Sequence, residues 1–108
     1  MNYNVKTISI FEKQARRLSR KYPSLKKDLL QLVILLRQNP EIGSPLGNNC
    51  YKIRMDISSK SKGKSGGARI ITHLVVADRY VYLLSIYDKS EKADLSPGEL
   101  KSLLKEII

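Results

Sequence analysis

Two long apolar segments separated by a two-residue turn constrain the fold more than any other feature of this sequence. Residues 68–77 are apolar on both faces, and residues 80–87 are rich in β-branched and aromatic side chains, and both compositions are typical of buried strands. Asp78-Arg79 leaves room only for a tight turn, so the two strands are expected to pair as an antiparallel hairpin. Residues 51–57 alternate between apolar and polar side chains, which predicts a third antiparallel strand with one polar face.

One strand and two helices are expected before this run of strands. Residues 3–8 alternate and are rich in β-formers, which predicts a first strand. Ser9 with Glu12 three residues later has the pattern of a capping box, with Ser9 as the N-cap of a helix that ends before Pro23. Ser24 is placed to cap a second helix.

The second helix has more apolar surface than one stripe requires. The stripe itself has helical spacing, and it consists of Leu25, Leu29, Leu32 and Leu36. Four further apolar residues, Leu30, Val33, Ile34 and Leu35, widen the apolar surface. A helix of this kind is covered on more than one side, either by the sheet together with the first helix or by a partner protein.

The remaining segments complete an α+β arrangement. Residues 41–49 contain two glycines and a proline, which indicates a connecting loop. Ser96 as N-cap, with Pro97 and Glu99 following, starts a last helix. The order β-α-α-β-β-β-α predicts a mostly antiparallel four-stranded sheet with helices packed on one face. We expect residues 1–108 to form a single domain.

Charge is the most informative bulk property. The 20 lysines and arginines exceed the 10 acids by +10, which favours a polyanionic partner, either a nucleic acid or an anionic membrane surface. A role on a membrane would need apolar anchoring, and Phe11 is the only aromatic residue in the first helix. The longest apolar block, residues 29–36, is too short to span a bilayer, and no apolar signal core is visible. We therefore expect a cytoplasmic protein.

The basic residues are concentrated in two segments, of which the first is residues 13–27. This segment contains seven basic residues and no acid. Its arginines Arg16, Arg17 and Arg20 lie on the polar face of the first helix, so they are candidate RNA contacts.

The second basic segment, residues 52–69, contains six basic residues and one acid, and it includes the loop at residues 60–69. Lys60, Lys62 and Lys64 alternate with small residues, and Gly66-Gly67 would let the backbone approach a phosphate closely. These three lysines are candidate RNA-binding residues. The alternative is a solvated loop whose lysines only increase solubility. The Walker pattern of nucleotide-triphosphate sites is absent.

Arg69 gives this loop a possible chemical role. A guanidinium inside a strand is costly unless it is paired or used, and its planar fork suits a phosphate. Lys52 and Arg54 lie on the polar face of the neighbouring strand, so these cations can converge and stabilise charge that develops on a phosphate. The alternative is a salt bridge between Arg69 and Asp56 across the hairpin.

Other candidate groups are weaker. One cysteine, Cys50, and one histidine, His73, cannot form a tetrahedral zinc site, and Cys50 is interpreted as an ordinary thiol. His73 is roughly 13 Å along the strand from Arg69, which favours a packing or surface role. Glu91 and Asp94 are interpreted as solvated or helix-start acids.

Two motifs resemble the RelE/ParE superfamily of bacterial toxins, and the HigB-like branch most closely. The first is Gly63-Lys64-Ser65-Gly66-Gly67-Ala68-Arg69-Ile70-Ile71, and the second, more specific one runs from Leu83 to Ser96 through Tyr87-Asp88-Lys89-Ser90-Glu91-Lys92 and Asp94-Leu95-Ser96. The resemblance covers essentially the whole chain. It implies a toxin paired with a neutralising antitoxin, which is expected to be a helix-turn-helix DNA-binding protein. It also implies cleavage of messenger RNA on the ribosome through attack by the RNA 2′-hydroxyl, with no metal ion or other cofactor.

The resemblance also implies roles for particular residues. Carried over one by one, the family's basic positions give the catalytic candidates Lys52, Arg54, Arg69 and Lys89. Lys64 is shared with the HigB-like loop. The tyrosine that stacks on a base in the RelE subfamily aligns with Leu95, and Tyr87 or Tyr82 is the candidate to replace it. Tyr87 is therefore included among the RNA-binding candidates.

A second function remains open on the same scaffold. ParE-like relatives inhibit DNA gyrase and have no ribonuclease site, and fold alone does not separate the two activities. The concentration of cations at Lys52, Arg54, Lys64, Arg69 and Lys89 favours the nuclease.

Overall fold

The strand run expected from the sequence forms the centre of a five-stranded sheet in the computed structural model, which describes residues 2–60 and 67–107. In chain order the elements are β1 Asn4–Thr7, α1 Ser9–Lys21, α2 Leu25–Gln38, β2 Ser44–Gly47, β3 Cys50–Met55, β4 Ala68–Val75, β5 Tyr80–Asp88, α3 Glu99–Leu104 and a final 3₁₀ turn, Lys105–Ile107.

The sheet has the order β1-β5-β4-β3-β2. β1 runs parallel to β5, and every other neighbouring pair is antiparallel. The central strands β4 and β5 are almost entirely buried, as expected from their apolar composition. The α+β class and the antiparallel unit β3–β4–β5 are thus confirmed.

The sheet has five strands rather than the four that the sequence predicted. Ser44–Gly47, interpreted as part of a loop, forms an edge strand paired with β3. All four of its residues are exposed, so it has no alternating pattern for sequence reasoning to detect, and Pro45 is tolerated at an edge. Asn48 and Asn49 complete the hairpin with φ values of 54° and 58°, the left-handed conformation that a two-residue turn requires.

Two predicted helix caps are wrong in position. Ile8 is the N-cap of α1, and Ser9 is already its first helical residue. The cap of α3 is Gly98 at φ 82°, two residues after Ser96. Glu99 nevertheless accepts a hydrogen bond from the Ser96 N–H at 2.9 Å, which is half of the expected capping box.

The second helix is covered on only one side. Leu25, Leu32 and Leu36 are buried, and α2 contacts α1 and β1. By contrast, Leu30 and Ile34 are 60% and 59% exposed, and Leu35 is exposed as well. Of the two covers that the sequence left open, the sheet and α1 therefore account for one face of the helix and leave the other in solvent.

Within residues 2–60 and 67–107, no helix is both long enough and apolar enough to cross a membrane.

Candidate active site

The strand register brings the basic strand residues onto one face of the sheet. Arg54 lies directly opposite Arg69 across β3 and β4, and Arg69 lies opposite Tyr87 across β4 and β5. Opposed residues in antiparallel strands project to the same face, and Lys52 shares that face because it is two residues from Arg54. The alternation seen in the sequence is thus converted into a single cationic surface.

All four predicted catalytic cations line one concavity of about 430 Å³. Its lining residues are Gly43, Ser44, Lys52, Arg54, Arg69 and Lys89. No carboxylate is among them. A Cβ at Gly43 would approach the Lys52 carbonyl oxygen to 2.6 Å, and its φ of 107° is left-handed, so only glycine lets the chain pass this close to β3. The concavity is a suitable site for an anion such as a phosphate.

The four cations differ in exposure and partners. Arg69 is buried, and its Nη1 donates to the Ala68 carbonyl oxygen at 3.3 Å, while Arg54 is exposed. The Nζ of Lys89 donates to the Ala93 carbonyl oxygen at 2.8 Å. A buried guanidinium beside an exposed one can donate several hydrogen bonds to the oxygens of one phosphate, and the planar guanidinium suits bidentate recognition.

Asp94 lies at the rim of this site, and its side chain is 62% exposed, in agreement with the solvated acid that the sequence predicted. Its carboxylate accepts from the Leu95 N–H at 2.8 Å and is 3.4 Å from the Lys52 Nζ and from the Tyr87 hydroxyl. These interactions, that of the Leu95 N–H first, hold the pKa of Asp94 below its usual range. An anion therefore lies beside Lys52 at the rim of the concavity, outside its lining.

Tyr87 has a different environment from the one that base stacking requires. Its side chain is largely buried, and the Lys92 Nζ lies 5.4 Å from the ring centroid. Burial, and secondarily the charge of Asp94, raises the pKa of its hydroxyl to about 12. The ring has too little open surface to stack on a base, so any RNA contact by Tyr87 is restricted to its hydroxyl. Tyr82, the other candidate, is half-buried and packs edge-on against Tyr80.

Lys60, the one described residue among the three loop lysines, does not line the concavity. Lys60 has a side chain only 11% exposed, and its Nζ forms an ion pair of 2.8 Å with Asp88. Because its ammonium is directed into the protein, we exclude Lys60 from the proposed RNA-binding surface. Lys62 and Lys64 lie outside the described residues, so their role stays a prediction.

The arginines of α1 form a separate basic surface. Arg16, Arg17 and Arg20 are exposed and do not line the concavity. Arg17 is held by Glu91 at 2.6 Å, and Lys21 binds the same carboxylate at 2.8 Å. The Arg17 and Lys21 bonds lower the pKa of Glu91. RNA binding by Arg16, Arg17 and Arg20 stays a prediction, and Arg17 would have to release Glu91 in order to bind RNA.

Cys50 and His73, which the sequence could not place together, are cross-strand partners. The Cys50 Sγ lies 3.4 Å from the His73 Nδ1. Burial raises the pKa of the Cys50 thiol to about 11, which is the wrong direction for a nucleophile. The pair is consistent with the ordinary buried thiol that we expected.

A second, apolar groove of about 520 Å³ lies between the first two helices. Its lining includes the apolar residues Phe11, Ala15, Leu29, Leu30 and Val33, and the charged residues Arg16, Lys26 and Glu12. The groove is continuous along α2 with the exposed Leu30 and Ile34. An exposed apolar surface of this kind marks a site of interaction with another molecule.

Comparison with known proteins gives one family and several similar structures. A family model described as the RelE toxin of the RelE/RelB toxin–antitoxin system matches residues 8–107. A mutant of the E. coli toxin RelE in the free state has a TM-score of 0.66 and 18% identity, with 100% of both chains covered. The toxin–antitoxin complex RelBE from E. coli gives 0.62 and 19%, covering 80% of this chain and 95% of that one. A RelBE complex from Mycobacterium tuberculosis gives 0.61 and 14%, covering 82% and 99%.

Proposed function

The chain belongs to the RelE family of toxin–antitoxin toxins, and on that premise we propose that it is an endoribonuclease that cleaves messenger RNA, on the ribosome, and thereby stops translation and growth. The observation that carries the proposal is the convergence of Lys52, Arg54, Arg69 and Lys89 in one concavity without a carboxylate in its lining. A binding surface that only attracts RNA would not need a buried guanidinium, because exposed lysines supply that attraction.

The proposed reaction needs no metal ion or cofactor. The RNA 2′-hydroxyl loses its proton and attacks the adjacent phosphorus to form a 2′,3′-cyclic phosphate, while the bond to the 5′-oxygen of the next nucleotide breaks and that oxygen takes up a proton. Arg54 and Arg69 stabilise the additional negative charge that the phosphate carries in the transition state. Lys52 and Lys89 are the groups at the site that can transfer the two protons: one, as the neutral amine, accepts the proton of the 2′-hydroxyl, and the other, as the ammonium, donates a proton to the 5′-oxygen. Fixing the phosphate between them also aligns the attacking hydroxyl.

The proposal is tested by cleavage of a messenger RNA on purified ribosomes, read by primer extension. Arg69→Ala is expected to abolish cleavage, and Arg69→Lys, which keeps the charge but loses the planar fork, should restore only a part of it. Arg37→Ala on α2, away from the concavity, is the matched control. Normal cleavage by a folded Arg69→Ala variant would reject this site. Growth arrest with intact transcripts and damaged DNA would instead support inhibition of DNA gyrase.

We also propose that an antitoxin neutralises this toxin, as RelB is present with RelE in the E. coli complex. Its docking place would be the exposed apolar stripe of α2, which comprises Leu30, Ile34 and Leu35, together with the adjoining groove. The groove has two basic residues, Arg16 and Lys26, against one acid, Glu12, and this excess of positive charge favours an acidic, amphipathic segment over a second copy of this basic chain. The expected antitoxin carries a helix-turn-helix domain, and toxin and antitoxin would act in the cytoplasm, where the ribosomes are.

A further inference from the structure

A buried carboxylate lies directly behind the cationic concavity, at the end of β5. Asp88 is fully buried, and it accepts hydrogen bonds from the Lys60 Nζ at 2.8 Å, the Tyr22 hydroxyl at 2.5 Å, the Ser90 N–H at 2.9 Å and the Ser90 hydroxyl at 2.7 Å. The Lys21 Nζ lies 3.6 Å from the Asp88 Oδ2. These hydrogen bonds offset the cost of burying the Asp88 carboxylate, because an unpaired carboxylate would be strongly unfavourable at this position.

The hydrogen bonds to Asp88 favour the ionised form of its carboxyl group. Burial opposes its charge, but the bonds from Lys60, Tyr22 and Ser90 outweigh burial and hold the pKa of Asp88 well below its usual range. Lys60 and Asp88 are thus a buried ion pair, in which each charge depends on the other.

The contacts of Asp88 fix three separate segments around one point. Tyr22 follows α1, Lys60 lies in the connection between β3 and β4, and Ser90 belongs to the turn after β5. Asp88 itself is the register partner of Ala68. The point therefore lies where the chain enters β4 and leaves β5.

Two catalytic candidates are the immediate neighbours of these fixed residues. Lys89 follows Asp88, and its N–H donates to the Gly67 carbonyl oxygen at 3.0 Å, while Arg69 follows Ala68. Asp88 projects to the sheet face opposite to that of Arg69, because adjacent strand residues alternate. It therefore lies behind the concavity, where it acts on the backbone that carries Arg69 and Lys89 and does not contact RNA.

We propose that Asp88, through its buried ion pair with Lys60, is a positioning residue for RNA cleavage, which holds Lys89 and Arg69 in the arrangement that the reaction needs. The proposal rests on the ribonuclease function proposed above. A role in folding alone is the competing explanation, and the two differ in what happens when both charges are removed together.

The experiment uses Asp88→Asn, Lys60→Met and the double variant in the ribosome-based cleavage assay, with Tm, KM and kcat measured for each. Asp88→Asn leaves the buried Lys60 ammonium without a carboxylate, so its Tm should fall. The double variant leaves no buried charge, so it should regain most of the lost Tm. Its kcat should still remain about 10- to 100-fold below that of the wild type, with KM changed by less than about threefold.

Each alternative has its own result. Recovery of kcat together with Tm in the double variant, or a normal kcat in Asp88→Asn, would overturn the positioning role. A raised KM with normal kcat in Lys60→Met would also overturn it and restore Lys60 as a direct RNA contact. Absence of cleavage by the wild type would reject the ribonuclease function itself.

Two further variants complete the design. Glu106→Gln, an exposed carboxylate in the final 3₁₀ turn, is the matched control and should leave kcat within about twofold of the wild type, because interactions of an exposed charge are screened by solvent. If the Asp88 variants do not fold, Tyr22→Phe removes one hydrogen bond from Asp88 and keeps the ring, and it should lower kcat with little change in KM. An unchanged kcat in a folded Tyr22→Phe would then count against the proposal.

Discussion

Arg54 and Arg69 are direct register partners across β3 and β4, so two guanidinium groups project from opposed positions of one sheet face. Like charges in this position destabilise a sheet. Arg54 is exposed and Arg69 is buried, so the second charge is also removed from solvent that would screen it. Two like charges that line a concavity with Lys52 and Lys89 are consistent with a site that binds an anion.

The first prediction is that Arg54→Gln stabilises the protein while it weakens the activity. Removal of one charge relieves the repulsion from Arg69, so Tm should rise by about 1–5 °C. Loss of a cation from the site should lower the rate of cleavage about 10- to 100-fold. Thermal unfolding and the ribosome-based assay measure the two effects. Arg37→Gln, an exposed arginine on α2, should change neither. A lower Tm for Arg54→Gln would mean that the opposed arginines do not repel each other.

The second prediction concerns the carboxylate at the rim of the site. Asp94 lies 3.4 Å from the Lys52 Nζ, where it competes with a phosphate for that cation. Asp94→Asn should therefore lower KM for the programmed ribosome about two- to fivefold, and low salt should enlarge the effect. Glu106→Gln, in the final 3₁₀ turn, is a control with the same loss of charge. A higher KM for Asp94→Asn would show that Asp94 supports RNA binding.

The sequence predicted the centre of the fold and the core of the site for the same physical reason. Residues 51–57, 68–77 and 80–87 have strand periodicity, and the short turn between the last two allows only one pairing. Lys52 and Arg54 were then expected beside Arg69, and the structure places them there. Lys89 was not accessible to this reasoning, since it follows a strand end, and only the family resemblance indicated it. The finer assignment to the HigB-like branch stays a prediction.

The remaining features depend on contacts between distant residues. β2 is exposed along its whole length, so it leaves no pattern in the sequence. The proximity of Cys50 and His73 follows from the register between β3 and β4. A bulge between Ile71 and Thr72 shifts the register between β4 and β5. Nothing in the sequence distinguishes Lys60 from other loop lysines, because its partner Asp88 is 28 residues away. Such pairings require the tertiary structure.

The third prediction is a dependence of stability on acid. Asp28 is buried, and burial opposes its charge, but bonds from the Ser58 hydroxyl at 2.6 Å and N–H at 3.0 Å and from the Ser24 hydroxyl at 2.8 Å outweigh this and lower its pKa. A carboxyl whose pKa is lower in the folded state stabilises the protein above its unfolded pKa of about 4, and that stabilisation is lost as the pH falls further. Asp88 acts in the same direction.

The Tm should accordingly be nearly constant from pH 7 to pH 5 and fall steeply below about pH 4. Asp28→Asn should have a lower Tm at neutral pH and a shallower fall in acid, because one of the titrating groups is gone. Asp78→Asn, at the exposed turn before β5, serves for comparison and should follow the wild-type curve. An Asp28→Asn curve parallel to that of the wild type would exclude Asp28 as a source of the acid dependence.

The fourth prediction separates neutralisation from toxicity. Ile34 is 59% exposed on α2 and lies away from the concavity, so Ile34→Glu should fold normally and cleave RNA at the wild-type rate. A charge in the middle of the apolar stripe should nevertheless weaken antitoxin binding at least about tenfold, since central apolar contacts dominate such interfaces. The antitoxin can be isolated as the protein whose co-expression restores growth, and its affinity for each variant can be measured by calorimetry.

Ser102→Glu, an equal change of charge at an exposed position of α3, is the control and should be neutralised like the wild type. Neutralisation of Ile34→Glu with unchanged affinity would place the antitoxin elsewhere, and a dimer that Ile34→Glu dissociates would identify a second copy of the chain as the occupant of the stripe.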